Sequence, residues 1–309
     1  MKAAAVQMNT LLADVKYNLK AAERLATEAA ALGAEIIILP EFFNSGIAFD
    51  DAMLGVARYG SETRAFLIDF ARRLNVALGG SFLELSGGEV YNTFLLALPN
   101  GEVYSHRKDI PTQFENCYYT FGDEEHILHT PIGDIGVALC WEMIRYDTVK
   151  RLAGRAGFIV AGSCWWDLPL EAPAESEPLR AYNQALAVET TVTFARILGV
   201  PLIHASHCST FTAHSFPQAD RLQTRRMVGA AQIIDAAGMV ITRRTFQEGE
   251  GVVFADITPQ KQTRVKIDTG EHYWIPALPE TYLKAWQRNN ELGREYYQTI
   301  SLPYYKNIN

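Results

Sequence analysis

The sequence of 309 residues lacks any apolar run that could cross a membrane. A membrane-spanning helix needs about 18 or more consecutive apolar residues. The N-terminal segment MKAAAVQMNT contains a lysine but only a brief apolar stretch, too short for a secretory signal. We therefore expect a protein without a membrane partner, located in the cytoplasm.

Extended basic segments are also missing. The formal net charge is -7, and the basic residues form only short clusters such as Arg225-Arg226 and Arg243-Arg244. Because a polyanion is held by an extended positive surface, nucleic acid is not an expected partner. The chain also has no Pro/Ser/Gly-rich or charged linker, which favours a single domain at this length.

The sequence has few of the patterns that hold metals or nucleotides. Its four cysteines, at positions 117, 140, 164 and 208, include no CxxC pair. The segment HASHCSTFTAH, residues 204–214, places three histidines beside Cys208, but this spacing matches no tight zinc pattern. No GxGxxG or P-loop pattern follows an apolar run. We therefore expect no metal, no cofactor and cysteines that remain thiols.

What the chain does contain is a series of short apolar runs separated by helix-forming segments. Some runs are joined as hairpins, such as YNTFLLALPNGEVYSHRK with Asn100-Gly101 at its turn, whereas others are linked through helices. This mixture predicts an α/β fold with two mixed sheets packed face to face. The predicted strands are 3–8, 35–40, 76–85, 91–99, 134–140, 157–163, 200–206, 229–242 and 251–257, and the main helices are 15–33, 61–75 and 178–199.

Three polar residues follow or end such runs. Taken singly, Glu41 after EIIILP reads as a loop acid, Lys108 as an exposed hairpin lysine, and Cys140 at the end of DIGVALC as a core thiol. If their strands are neighbours in one sheet, a carboxylate, an ammonium group and a thiol converge at its edge. The carboxylate can then take the thiol proton, and the ammonium group can stabilise negative charge on a substrate.

The segments ILPEFFNSG, HRKDIPTQFENCYYTFGD and GVALCWE, in this order, resemble the three signature segments of the nitrilase (carbon-nitrogen hydrolase) superfamily. The resemblance extends more loosely over residues 3–257. It implies an αββα sandwich of two mixed sheets flanked by helices. It also implies Glu41 as general base, Lys108 as the cation for the tetrahedral intermediate, Cys140 as nucleophile and Glu115 as an additional structural or catalytic glutamate.

The last fifty residues are rich in aromatic side chains. Their density predicts that they pack against the parent domain or a second subunit. The resemblance implies the second arrangement, in a homodimer or larger homo-oligomer. We therefore divide the chain into a hydrolase domain, residues 1–258, and a C-terminal extension, residues 259–309, at a subunit interface.

The substrate implied by the resemblance is a small nitrile or amide. The triplet CWE is typical of the nitrilase branch, but Met143 and the following IRYD depart from it, so amides and N-carbamoyl amides remain alternatives, and acyl transfer a more remote one. The backbone N–H of Trp141 is expected to help stabilise substrate charge. Trp165 and Trp166 are predicted as apolar cavity walls, although packing in the core explains them equally well.

Overall fold

Strands and helices alternate along the chain in the computed structural model, which describes residues 1–262 and 272–308. The α-helices are α1 (Val15–Ala31), α2 (Gly60–Leu74), α3 (Tyr146–Leu152), α4 (Glu177–Leu198), α5 (Glu280–Tyr296) and α6 (Leu302–Asn307). The strands are β1 (Lys2–Met8), β2 (Ile36–Ile38), β3 (Ala77–Ser86), β4 (Glu89–Ala97), β5 (Val103–Arg107), β6 (Ile127–Thr130), β7 (Gly133–Leu139), β8 (Phe158–Gly162), β9 (Leu202–His207), β10 (Thr210–Ser215), β11 (Gln218–Arg226), β12 (Gly229–Ile234), β13 (Val240–Thr245) and β14 (Gly251–Asp256). Among these residues no helix is both long and apolar enough to span a bilayer.

The strands form two mixed sheets. The first has the order β5-β4-β3-β2-β1-β14 and the second the order β6-β7-β8-β9-β12-β13. The end of β1 pairs with the end of β9 through Gln7–Ser206 and Met8–His207, which joins both sheets into one continuous set of 12 strands. The predicted hairpins around Asn100-Gly101 and Gly238 are both present as antiparallel pairs.

The two sheets pack face to face between layers of helices. Residues that point inward from both sheets, such as Ile38 and Val160, share one buried cluster. Alternation along β2 turns Ile37 to the opposite face, where α1 and α2 cover the first sheet. Helices α3 and α4 cover the outer face of the second sheet. The αββα sandwich predicted from the sequence is therefore confirmed.

One hairpin was not predicted from the sequence. Strands β10 and β11 form a separate two-stranded sheet, and β11 carries the polar sequence QADRLQTRR. This strand has no apolar face, so its sequence shows no period-two hydrophobic pattern. The pair is held to the domain by Phe211, which is buried in the core cluster, and by pairing of Met227 with Trp166.

The C-terminal helices pack against their own chain. In α5, Asn290 Oδ1 accepts hydrogen bonds from Gln113 N at 2.8 Å and from Asn116 Nδ2 at 3.1 Å. In α6, the buried Tyr305 hydroxyl donates to Tyr118 O at 2.9 Å. The part of the predicted extension at residues 263–271 lies outside the described residues. Pairing of subunits through this extension stays a prediction.

Candidate active site

The three strand-end residues come from facing sheets rather than from one. Glu41 lies three residues beyond β2, and Lys108 follows β5 directly, both in the first sheet, whereas Cys140 follows β7 in the second. The end of β8 approaches Glu41 so closely that a Cβ on Gly162 would lie 2.6 Å from Glu41 N. Glycine at this position therefore lets the second sheet reach the Glu41 backbone.

Lys108 bridges two buried carboxylates. Its Nζ donates to Glu41 Oε1 at 2.8 Å and to Glu115 Oε2 at 2.7 Å, and both Glu41 and Lys108 have no exposed surface. Asn92 Nδ2 also donates to Glu41 Oε1, at 2.9 Å, while Glu41 Oε2 accepts from Cys164 N at 3.0 Å. The network fixes the position of both carboxylates relative to the ammonium group.

Glu115 accepts three hydrogen bonds, all through one carboxylate oxygen. Besides Lys108, its Oε2 accepts the Thr112 backbone N–H at 3.0 Å and the hydroxyl of Tyr119. Burial raises the pKa of Glu41 to about 7, because the opposing effect of Lys108 is partly offset by the neighbouring charge of Glu115. Burial alone would lower the pKa of Lys108, but the two carboxylates raise it well above its ordinary value. Lys108 is therefore a permanent cation, whereas Glu41 exchanges its proton near neutrality.

Cys140 begins a short 3-10 helix, Cys140–Ile144, with a left-handed φ of 50°. Non-glycine residues adopt this conformation rarely, and it is common at functional sites. Burial and the carboxylate of Glu41 raise the pKa of the Cys140 thiol well above its usual value, and Lys108 opposes this only in part. The resting sulfur is therefore a neutral thiol that requires a base to become a nucleophile.

A cavity of about 350 Å³ opens above these residues. Glu115, Cys140 and Cys164 form part of its lining, while Glu41 and Lys108 lie behind them, hydrogen-bonded to Cys164 and Glu115. The size suits a small-molecule ligand. The backbone N–H of Cys164 also holds the Glu41 carboxylate.

All three predicted tryptophans line this cavity. They also pack, because the ring of Trp141 stacks on that of Trp286 in α5 at 5.3 Å and 8°, and Trp165 Nε1 donates to Asn183 Oδ1 at 3.1 Å. The two interpretations of these residues, cavity wall and packing, are thus compatible.

The sequence profile of a protein family described as carbon-nitrogen hydrolase matches residues 2–266. The chain belongs to this family. Nitrilase 1 of Arabidopsis thaliana is 32% identical over 301 residues, which cover 88% of this chain and 83% of that protein. The chloroplastic omega-amidase of the same plant is 30% identical over 164 residues, 48% of this chain and 44% of that protein. A crystal structure of a carbon-nitrogen hydrolase from Helicobacter pylori G27 has a TM-score of 0.71 at 18% identity, covering 83% of this chain and 88% of that one.

This carbon-nitrogen hydrolase has a second buried charged cluster that sequence reasoning missed. Glu142 Oε1 accepts the Asp109 N–H at 2.8 Å, and its Oε2 accepts the Leu139 N–H at 2.7 Å. The Glu142 carboxylate therefore links Asp109, which follows Lys108, to Leu139, which precedes Cys140. The only signal in the sequence was that Glu142 and Asp109 lie inside two of the signature segments.

Histidines and an arginine complete the second cluster. His106 Nε2 lies 3.2 Å from Glu142 Oε1, and the rings of His106 and His126 are 4.2 Å apart. Arg145 binds Asp109 through two parallel N–H contacts, at 2.9 and 2.5 Å. Ligand atoms of His106, His126 and Glu142 lie within 4.8 Å of one another, but both oxygens of Glu142 already accept backbone N–H groups.

The histidines of HASHCSTFTAH lie mainly on strand β9 rather than in a loop. His207 Nε2 lies 2.6 Å from Glu41 O, and His204 contacts Ala230 O at 3.0 Å and Ser163 Oγ at 2.9 Å. Burial lowers the pKa of both histidines to about 4, so both rings are neutral at physiological pH. His207 thus helps to hold the backbone of Glu41.

Proposed function

We propose that this carbon-nitrogen hydrolase converts a small nitrile into the corresponding carboxylic acid and ammonia, with Cys140 as the nucleophile. The observation that carries the proposal is the meeting of Cys140 with the Glu41–Lys108–Glu115 cluster at one cavity. A thiol, a base with a pKa of about 7 that can take its proton, and a cation that balances the developing charge are the parts that thiol addition to a carbon-nitrogen bond requires.

In the first step, Glu41 takes the proton of the Cys140 thiol while the sulfur attacks the nitrile carbon. One electron pair of the carbon-nitrogen triple bond moves to nitrogen, which then receives the proton from Glu41, and a thioimidate forms. Glu41 suits this role because, within the described residues, its Oε2 accepts one hydrogen bond, from Cys164 N, and retains a lone pair for the proton.

Charge that develops on the substrate nitrogen requires donors. An ammonium group has three N–H bonds, and Lys108 uses two of them for Glu41 and Glu115. The third is assigned to the substrate. The N–H of Trp141 lies in the first turn of the 3-10 helix, where backbone donors have no acceptor within the helix, and serves as the second donor.

The second half of the reaction consumes two water molecules. Water adds to the thioimidate after losing a proton to Glu41, and ammonia leaves as the carbonyl of a thioester forms. A second water, activated in the same way, releases the carboxylic acid and restores the Cys140 thiol. A nitrile and two waters thus yield one acid and one ammonia.

An amide is the second candidate substrate, and the similarity to omega-amidase favours it. An amide would reach the same thioester after one addition and loss of ammonia, and would consume one water. We place the nitrile first because the similarity to Nitrilase 1 extends over 88% of the chain, whereas that to omega-amidase extends over 48%.

Ammonia release from a panel of small nitriles and amides tests the proposal. We expect release by the wild-type protein, a loss on the order of 10³-fold or more in Cys140→Ala, and a covalent adduct at Cys140 in quenched reactions analysed by mass spectrometry. The matched control is Cys208→Ala, a buried cysteine outside the cavity lining. Activity that survives in Cys140→Ala but disappears in Cys164→Ala would move the nucleophile to Cys164.

A further inference from the structure

One wall of the cavity is formed by the hairpin β10–β11. Gln223 and Arg225 both line the cavity from β11, where they are two residues apart and therefore face the same side of the strand. Arg225 is half-buried, and its Nη2 donates to Gln223 Oε1 at 2.9 Å. Arg225 and Cys140 thus line the same cavity.

Arg180 and Arg226 are ion-paired with Asp167, whereas Arg225 has no ion pair within the described residues. Asp167 accepts from Arg226 Nε at 3.2 Å and from Gln184 Nε2 at 2.7 Å, and Arg180 Nη1 lies 3.4 Å away. Asp167 is thereby occupied by two arginines and an amide. Within residues 1–262 and 272–308, no carboxylate oxygen lies within 4.0 Å of a guanidinium nitrogen of Arg225.

Charged groups of both signs surround Arg225. Asp167 and Glu171 act on Arg225 from a distance, together with Arg221 and the Tyr282 hydroxyl. Glu171 is exposed and accepts the Thr224 N–H at 3.2 Å. A guanidinium group carries five N–H donors in a planar fork, and one of these is used by Gln223. A half-buried fork with free donors facing a cavity is a binding group for a carboxylate.

We infer that the substrate carries a carboxylate, which Arg225 binds while the carbon-nitrogen group lies at Cys140. The inference rests on the proposed function and names its substrate class: short ω-cyano carboxylates, or the ω-carbamoyl carboxylates if amides are the substrates. Trp166 and Phe114, which line the cavity with their rings 6.2 Å apart, offer apolar surface for the carbon chain between the two groups.

Binding to Cys140→Ala tests the inference without turnover. Titration calorimetry compares a short ω-cyano carboxylate with the neutral nitrile in which a hydroxymethyl group replaces the carboxylate. We expect Arg225→Gln, added to Cys140→Ala, to weaken binding of the carboxylate by about 10- to 100-fold. Arg221→Gln removes the same charge from an exposed position of β11 and should leave this affinity unchanged. Equal affinities in the presence and absence of Arg225 would overturn the inference.

Kinetics provide the second arm. We expect the ratio of kcat/KM for the anionic and neutral nitriles to fall by about 10- to 100-fold in Arg225→Gln, and Arg225→Lys to restore part of the preference. Arg225→Glu should reverse it in favour of an ω-cyano alkylammonium substrate. An unchanged ratio in all three variants would disprove carboxylate recognition while leaving the proposed function intact. Arg225-dependent binding without ammonia release from any nitrile or amide would instead reject the proposed function alone.

Discussion

Two buried charged clusters flank Cys140, and they differ in their balance of charge. The first, Glu41–Lys108–Glu115, has two carboxylates for one ammonium group and borders the cavity through Glu115. The second consists of His106, Asp109, His126, Glu142 and Arg145, and none of its members lines the cavity. The two clusters use similar side chains at similar depth.

The pKa values of their carboxylates are shifted in opposite directions. Burial raises the pKa of Glu41 to about 7 because one cation is shared between two carboxylates. Burial would also raise the pKa of Asp109, but His126 and Arg145 lower it far below its usual range. In the same way His106 and His126 outweigh burial and lower the pKa of Glu142. Burial thus dominates at Glu41 and yields a base that exchanges protons, whereas the partners of Asp109 and Glu142 outweigh burial and keep both carboxylates ionised.

The largest expected effect breaks the first cluster. Glu41→Gln keeps the shape of the side chain but removes the base, and we expect kcat to fall by about 10²- to 10⁴-fold. The free energy of unfolding should change less in this variant than in Glu142→Gln, the corresponding variant in the second cluster. Burial disfavours the ionised form of Glu41, so removing its charge costs little stability. Steady-state ammonia release and urea unfolding measure the two quantities. Retention of full activity would remove Glu41 from the mechanism.

The pH dependence of kcat/KM for a neutral substrate reports on the same base in the wild-type enzyme. A base acts when deprotonated, so kcat/KM should be highest above pH 7 and fall tenfold per pH unit below the pKa of about 7. The apparent value belongs to the coupled cluster rather than to Glu41 alone. A midpoint near 4.5, the ordinary glutamate value, would show that burial does not raise the pKa of Glu41.

A smaller effect on activity and a larger one on stability should follow from Glu142→Gln. The amide nitrogen cannot accept one of the two backbone N–H groups, from Leu139 or Asp109, and we expect unfolding to become easier by about 2–3 kcal/mol. The lowered pKa of Glu142 means that its contribution is present above the unfolded value of 4.5 and lost at lower pH. Urea unfolding at pH 7.5 therefore records it in full. A larger loss in Glu41→Gln than in Glu142→Gln would contradict the division of roles.

The smallest effect is expected outside both clusters. Glu125 pairs with Arg155 at the surface, where 73% of the Glu125 side chain is exposed. Exposed pairs contribute little because water and salt screen them. Glu125→Gln should leave kcat unchanged and the melting temperature within about 2 °C of the wild type. A decrease in melting temperature comparable with that of Glu142→Gln would mean that loss of a negative charge, rather than loss of buried hydrogen bonds, explains the effect of Glu142→Gln on stability.

The sequence was enough to predict the αββα sandwich and the residues that meet beside the cavity. Strands such as β7 and β8 are nearly continuous apolar runs, and polar residues at their ends are conspicuous. The meeting of Glu41, Lys108 and Cys140 followed from the resemblance to known signature segments. Their placement on two facing sheets was not foreseen, because a strand's sequence does not state which neighbour it pairs with.

The contacts that hold these residues could not be read from the sequence. Cys164 N donates to Glu41 across 123 positions of the chain, and a backbone N–H carries no residue-specific signal. Glu142 acts through backbone groups in the same way. The hairpin that carries Arg225 was missed because β11 is mostly polar and, within the described residues, pairs with β10 alone.

Helix α5 forms part of the cavity wall through Tyr282 and Ala285, and its Trp286 stacks on Trp141, the neighbour of the nucleophile. A ribosome makes the residues of both charged clusters, and most of the sandwich, long before it makes this helix. The charged residues around Cys140 are therefore synthesised early, and the helix that closes one side of the cavity is synthesised late. A chain that ended before residue 280 would therefore contain both charged clusters and the thiol but would lack this wall of the cavity.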